Sequence, residues 1–167
     1  MNTKKALVEE FENRVFKESY GRIFKCLTLI EEKQLWESPQ KNIPAIGNLI
    51  LHLCGNARQW ILSGIGGEQD NRNRDQEFEI QTKIRKSELI FLLENLRMNL
   101  HEVLIEMSEN ELFISKRIQG FNTSNFSAMI HVIEHFSYHT GQITTLTKWL
   151  TNKETGYYSK FDLNQLN

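Results

Sequence analysis

The stretch HVIEHFSYHTGQI, His131 to Ile143, holds three of the chain's five histidines, each four residues from the next. Four residues is close to one α-helical turn, so the spacing sets His131, His135 and His139 along one side of a helix. At about 100° per residue, Met129, Val132, Phe136, Ile143, Leu146 and Leu150 gather into one apolar stripe. His139 falls near its centre. His135 lies about 40° to one side, and His131 about 40° further. So His139 should point inward, His135 should flank it and His131 should sit toward the edge, with Glu134 on the wet side. The periodicity predicts a helix from about Ser127 to Leu150.

Three more segments carry helical periodicity. The first runs from about Thr3 to Ile30, with Leu7, Phe11, Val15, Ile23, Leu27 and Ile30 as core positions. The second runs from about Ala45 to Leu62 and is ended by the glycines of SGIGG. The third runs from about Ser87 to Met107, with Ser87 as N-cap. The only prolines, Pro39 and Pro44, lie in the first connection, where a short helical turn is expected around Leu35 and Trp36. EQDNRNRDQEFE reads as a long polar loop, and SENELFISKRIQGFNTSN has room for a short strand-like piece. The tail from Thr151 has enough aromatics to dock on the body. Four long helices without a convincing run of paired strands predict an all-α protein, a four-helix bundle. The long links after the first and third helices permit crossover connections. With no repeat or linker, residues 1–167 read as a single domain.

The net charge of −1 and the scattered Lys and Arg argue against an electrostatic hold on nucleic acid or an anionic membrane. No apolar run approaches the roughly 18 residues of a membrane span, and no signal-peptide pattern opens the chain. A cytoplasmic protein is expected. Cys26 and Cys54 are too few for a disulfide scaffold, and Cys26 reads as a buried thiol. Leu51 and Leu62 make the second helix apolar on more than one side, which points to a homodimer.

One inward histidine is explained by a hydrogen-bonded core residue. Two at i and i+4 on a core-facing edge leave a metal-binding reading equally open, because neutral imidazole binds divalent cations well. A third ligand must come from another helix, and the candidates are His52 and His101. His52 sits beside the stripe of Leu49, Leu53, Ala57 and Trp60, with Asn56 one turn on; His101 lies in a more polar stretch. Cys54 points away from His52 by about 160°.

NLILHLCGNARQW (48–60) together with HFSYHTGQI (135–143) resembles the DinB-like superfamily of metal-binding four-helix bundles. There, one histidine comes from the second helix and a pair from an HxxxH-x-GQ pattern in the last. The resemblance therefore implies a metal triad of His52, His135 and His139, with no place for His131. The ion implied is divalent: zinc or nickel first, manganese or iron next. Many relatives carry Glu after the first histidine of the pair and Arg before the Gly; here Phe136 and Thr140 stand there.

Three neutral imidazoles leave coordination positions open, as in catalytic rather than closed structural sites. Some superfamily members transfer low-molecular-weight thiols such as bacillithiol, mycothiol or glutathione. The resemblance thus implies a small-molecule thiol and an electrophile as partners, or hydrolysis. The alternative is a non-catalytic, stress-associated metal-binding bundle. Gln142 and Asn56 are candidates to orient a ligand or bound water, and Arg58 to meet an anionic thiol or make a surface salt bridge. Trp60 and Trp149 read as core aromatics. RNRDQEF (72–78) reads as a lid, a dimer contact or a solvated loop pinned by Phe78.

Overall fold

The computed structural model describes residues 2–80 and 83–165. It is mostly helical, with one two-stranded sheet among the described residues. The first helix runs unbroken over 3–29: α1 (Thr3–Phe11), a π-helical stretch (Glu12–Ser19) and α2 (Tyr20–Leu29). Asn2 caps it by accepting from the Lys5 N–H. All six core positions read from the sequence, Leu7 through Ile30, are buried. Within the wider π turn the Ser19 hydroxyl donates to the Arg14 carbonyl, five residues back, at 2.9 Å.

A 3₁₀ turn at Lys33–Trp36 supplies the expected helical turn. Then come α3 (Ile46–Ala57), extended by a π-helical stretch (Arg58–Ser63), α4 (Arg74–Glu77), α5 (Lys86–Glu106) and α6 (Asn125–Thr151). Ten of the twelve residues of α3 are buried, which makes it the interior helix. It packs against α4, α5 and α6, while α2 packs on the other side of α6. Of the two leucines that made this helix look apolar on more than one side, one is taken up by the core. Leu62 is wholly buried and Leu51 half-buried within the same chain.

Several boundaries differ from the sequence reading. Ser87 is not the cap of α5; the helix starts one residue earlier, and the Glu88 carboxylate accepts from the Arg85 N–H at 2.9 Å. The strand-like piece is a hairpin, β1 (Ser115–Ile118) antiparallel to β2 (Phe121–Ser124), with Ile118 opposite Phe121. Gln119 and Gly120 both have positive φ, as a tight two-residue hairpin turn requires. Ser124 ends the hairpin and caps α6 through the Ser127 N–H. Trp149 is 60% exposed rather than core, because it lies one turn beyond exposed Thr145 on the outward side of α6. The tail docks as expected: the Tyr157 hydroxyl contacts Cys26 Sγ at 3.1 Å and Thr144 Oγ1 at 2.8 Å. Leu166 and Asn167 of that tail lie outside the described residues.

The polar stretch before α5 is tied down by one buried side chain. Asn48 accepts from the Ala45 N–H at 3.1 Å and donates to the carbonyls of Glu77 and Glu79 at 3.0 and 2.7 Å. Its amide thus joins the start of α3 to the end of α4. Asn48→Ala leaves those backbone groups unpaired in a buried place and should cost about 1–3 kcal/mol. Urea unfolding with an unchanged slope checks this; a loss below about 0.5 kcal/mol would mean that water replaces the amide freely.

Candidate metal centre

The packing of α3 on α6 decides where the imidazoles lie. His52 from the middle of α3 meets His135 and His139 from α6, with both ring-centroid separations 4.9 Å. The ligand nitrogens of the three lie within 4.8 Å of one another. The closest pair is His52 Nε2 and His135 Nε2 at 2.9 Å. Two nitrogens bonded tetrahedrally to one zinc at about 2.1 Å stand roughly 3.4 Å apart, so a small ring movement suffices to admit an ion.

His52 is buried; His135 and His139 are half-buried. Burial, then the neighbouring imidazoles of His139 and His52, push the pKa of His135 down to about 3. Burial also lowers His139 and His131. These rings are therefore neutral at pH 7, which is the form that binds metal. Gln142 contacts a histidine rather than the centre itself: its Oε1 accepts from His139 Nδ1 at 2.7 Å, which leaves Nε2 with its lone pair. The Gln142 amide nitrogen in turn donates to the Tyr138 hydroxyl at 3.3 Å. The donor set and its protonation thus fit a divalent ion.

Asn56 serves a different ring. Its Nδ2 lies 3.1 Å from His131 Nε2, and His131 stacks on Trp60 with centroids 3.8 Å apart. His131 stays outside the cluster, as expected. Trp60 sits in the π-helical continuation of α3, and its indole N–H donates to Gln119 of the hairpin turn at 3.2 Å. His101 is exposed and pairs with Glu12 at 2.6 Å. Arg58 forms the surface salt bridge, with Glu68 at 3.0 Å. Cys54 is buried, and burial with the Glu77 charge pushes its thiol up to about 12, so it is no nucleophile.

The sequence reading missed Glu77. In RNRDQEF, Asn73 to Gln76 are exposed and Phe78 pins the segment, but a short helix, α4, forms inside it, capped by Asn73 through the Gln76 N–H, and Glu77 turns inward. The segment delivers Glu77 Oε2 to within 2.8 Å of His52 Nδ1. Arg72 pairs with both carboxylate oxygens, at 2.7 and 2.9 Å, and donates to Gln59 Oε1 at 2.9 Å. Burial alone would raise Glu77; the bonds from Arg72 and His52 outweigh it and hold the carboxyl below the usual range. Phe78, the residue after α4, packs on the His52 ring at 4.9 Å. An Arg and a Glu five apart in a polar stretch give no signal that either will be buried. Arg72 and Glu77 also line a cleft of about 470 Å³ with Leu51, Arg58, Ile84 and Leu92, and none of the three histidines lines it.

Residues 4–159 match the family described as "Protein of unknown function (DUF1572)". The chain belongs to that family. No curated protein matches it.

The depressed imidazoles give a pH dependence with a definite sign. In the unfolded chain a histidine titrates near 6.5, whereas folded His135 resists protonation until about pH 3. Between these values the unfolded state binds more protons, so stability falls as the pH falls. The metal-free protein should lose melting temperature from about pH 7 to pH 5, and His135→Gln should flatten that slope. A scan over this window lies above the range where Glu77 titrates. A flat profile in the parent chain would show that these rings take up their protons in the folded protein just as they do in the unfolded chain.

Proposed function

We propose that this chain is a divalent-metal-dependent enzyme of the DinB-like four-helix-bundle type, acting on a small-molecule thiol and an electrophile. The helical segments 3–29 and 46–63, with α5 and α6, are the four helices of that bundle. The single observation that supports the reading is the convergence of three imidazole nitrogens within 4.8 Å. His52, His135 and His139 would hold the ion. A divalent cation there would supply Lewis acidity, lowering the pKa of a thiol or water that meets it.

The chain's own residues have separable tasks. The three imidazoles bring no negative charge, so an anionic thiolate is favoured near them. Gln142 holds His139 in the tautomer that presents Nε2. Phe78 covers the His52 ring and keeps water from it. The half-exposed edges of His135 and His139, beside exposed Tyr138, are the side from which a substrate arrives. Zinc and nickel suit an all-nitrogen donor set better than magnesium or calcium, which prefer oxygen.

Protein purified without a histidine tag should carry a divalent ion in near-equal proportion by elemental analysis. After chelation, zinc at about 100 times its Kd should restore about 2.7 kcal/mol of stability. His135→Ala and His139→Ala should abolish that gain and any thiol-by-electrophile turnover, while the helical circular dichroism survives. No bound ion and no zinc-dependent melting shift would remove the metal reading. Binding without turnover across a panel of thiols would leave the non-catalytic metal-binding bundle instead.

A further inference from the structure

Resting on the metal reading, we infer that Glu77 is a positioning residue: pinned by Arg72 and admitted by the bare backbone of Gly55, its carboxylate fixes His52 as the Nδ1–H tautomer and presents the Nε2 lone pair to the centre. Two arrangements of the His52 proton compete. In one, Nδ1–H donates to Glu77 Oε2 at 2.8 Å. In the other, Nδ1 accepts from the Arg72 guanidinium at 3.2 Å, and the proton sits on Nε2, facing His135.

The carboxylate decides between them. Arg72 holds both of its oxygens, so Glu77 is ionised and can only accept. An unprotonated Nδ1 would set two lone pairs against each other at 2.8 Å. The Arg72 contact is longer, and that guanidinium nitrogen already has Glu77 Oε2 at 2.9 Å. The proton therefore belongs on Nδ1, and Nε2 is left as a ligand atom. A carboxylate behind a histidine raises its basicity toward a metal as well as orienting the ring.

Gly55 shows that the place for this carboxylate is built. It sits inside α3, three residues after His52, where glycine is a poor choice for helix stability. A Cβ added there would collide with the Glu77 carboxylate, standing 2.8 Å from its Cδ and 3.1 Å from Arg72 Nε. An alanine would improve the helix by itself, but would displace Glu77 from both His52 and Arg72. The glycine, the arginine and the glutamate thus act on one imidazole.

The test uses the full chain, with zinc as the probe. Zinc affinity is measured by competition against a chromophoric chelator. Long-range ¹H–¹⁵N spectra of the chelated protein report the protonated nitrogen of His52, assigned with His52→Asn. Glu77→Gln and Gly55→Ala should each weaken zinc about 10- to 100-fold, and each should shift the His52 nitrogens toward a tautomer mixture. Should Glu77→Gln fold poorly, Gly55→Ala carries the test, because it keeps the carboxylate and favours the helix. Parent affinity with an unchanged His52 spectrum in the variants overturns the inference. So does a parent His52 protonated on Nε2. If the parent takes up no zinc, yet its Nδ1–H signature is present and is lost in both variants, the metal reading falls and the positioning of His52 by Glu77 stands.

Discussion

The arrangement depends on one packing constraint: α3 lies against α6 closely enough that His52 touches His135. Both helices are held there by apolar contact. In the shared core α3 buries Leu49, Leu53 and Ala57, and α6 buries Met129, Val132, Phe136 and Ile143, each essentially solvent-free. Burying side chains of this size stabilises the pair by roughly 1.5–3 kcal/mol each before conformational entropy is set against it. That surplus is what permits polar rings at the same interface. Imidazoles in such a place lose water and cannot share it with a second charge, so they are driven to the neutral state. Packing, protonation and metal affinity are thus one property of the interface.

Around this contact the protein adds polar groups that have partners. Glu77 and Arg72 are nearly buried, with side-chain exposures of 9% and 5%. A buried ion pair is a poor source of stability, because desolvation offsets most of the attraction. Its use here is directional: a bidentate guanidinium fixes the carboxylate plane, and the carboxylate fixes a ring. Asn48 performs the same service for the backbone of the segment. Asn56 Oδ1, on the side of His131 and Trp60, is among the buried oxygens left without a partner. Thus the more regular half of the site comes from α6, and the half that sets its protonation comes from irregular chain between α3 and α5.

The two π-helical stretches bear on this geometry. An extra residue in a turn moves every later side chain around the helix. In the continuation of α3 it carries Trp60 onto His131 and within reach of the hairpin turn. The hairpin, in turn, runs directly into the cap of α6. The fourth histidine is therefore held by aromatic stacking and an amide, and stands beside the centre without joining it.

Much of this was legible in the sequence. Helical periodicity located the long helices to within a few residues, because an apolar stripe can be buried in only one rotational setting. The same wheel ordered His139, His135 and His131 from the centre of the stripe to its edge, since rotation about a regular helix is a local property. The resemblance brought in His52, and the fold set it beside the other two. Glu77, Arg72 and Gly55 were not legible. Their meaning lies in contacts between segments whose relative placement no local pattern encodes. A charged residue in a polar stretch reads as solvated until the chain folds it against a partner. Trp149 errs in the opposite direction: the aromatic reads as core, yet among the described residues no neighbouring element covers it. Sequence determined the helices and the side each presents, because these follow from local sterics and hydrophobicity. Tertiary structure alone decided which charges lose their water, because that depends on what packs above them.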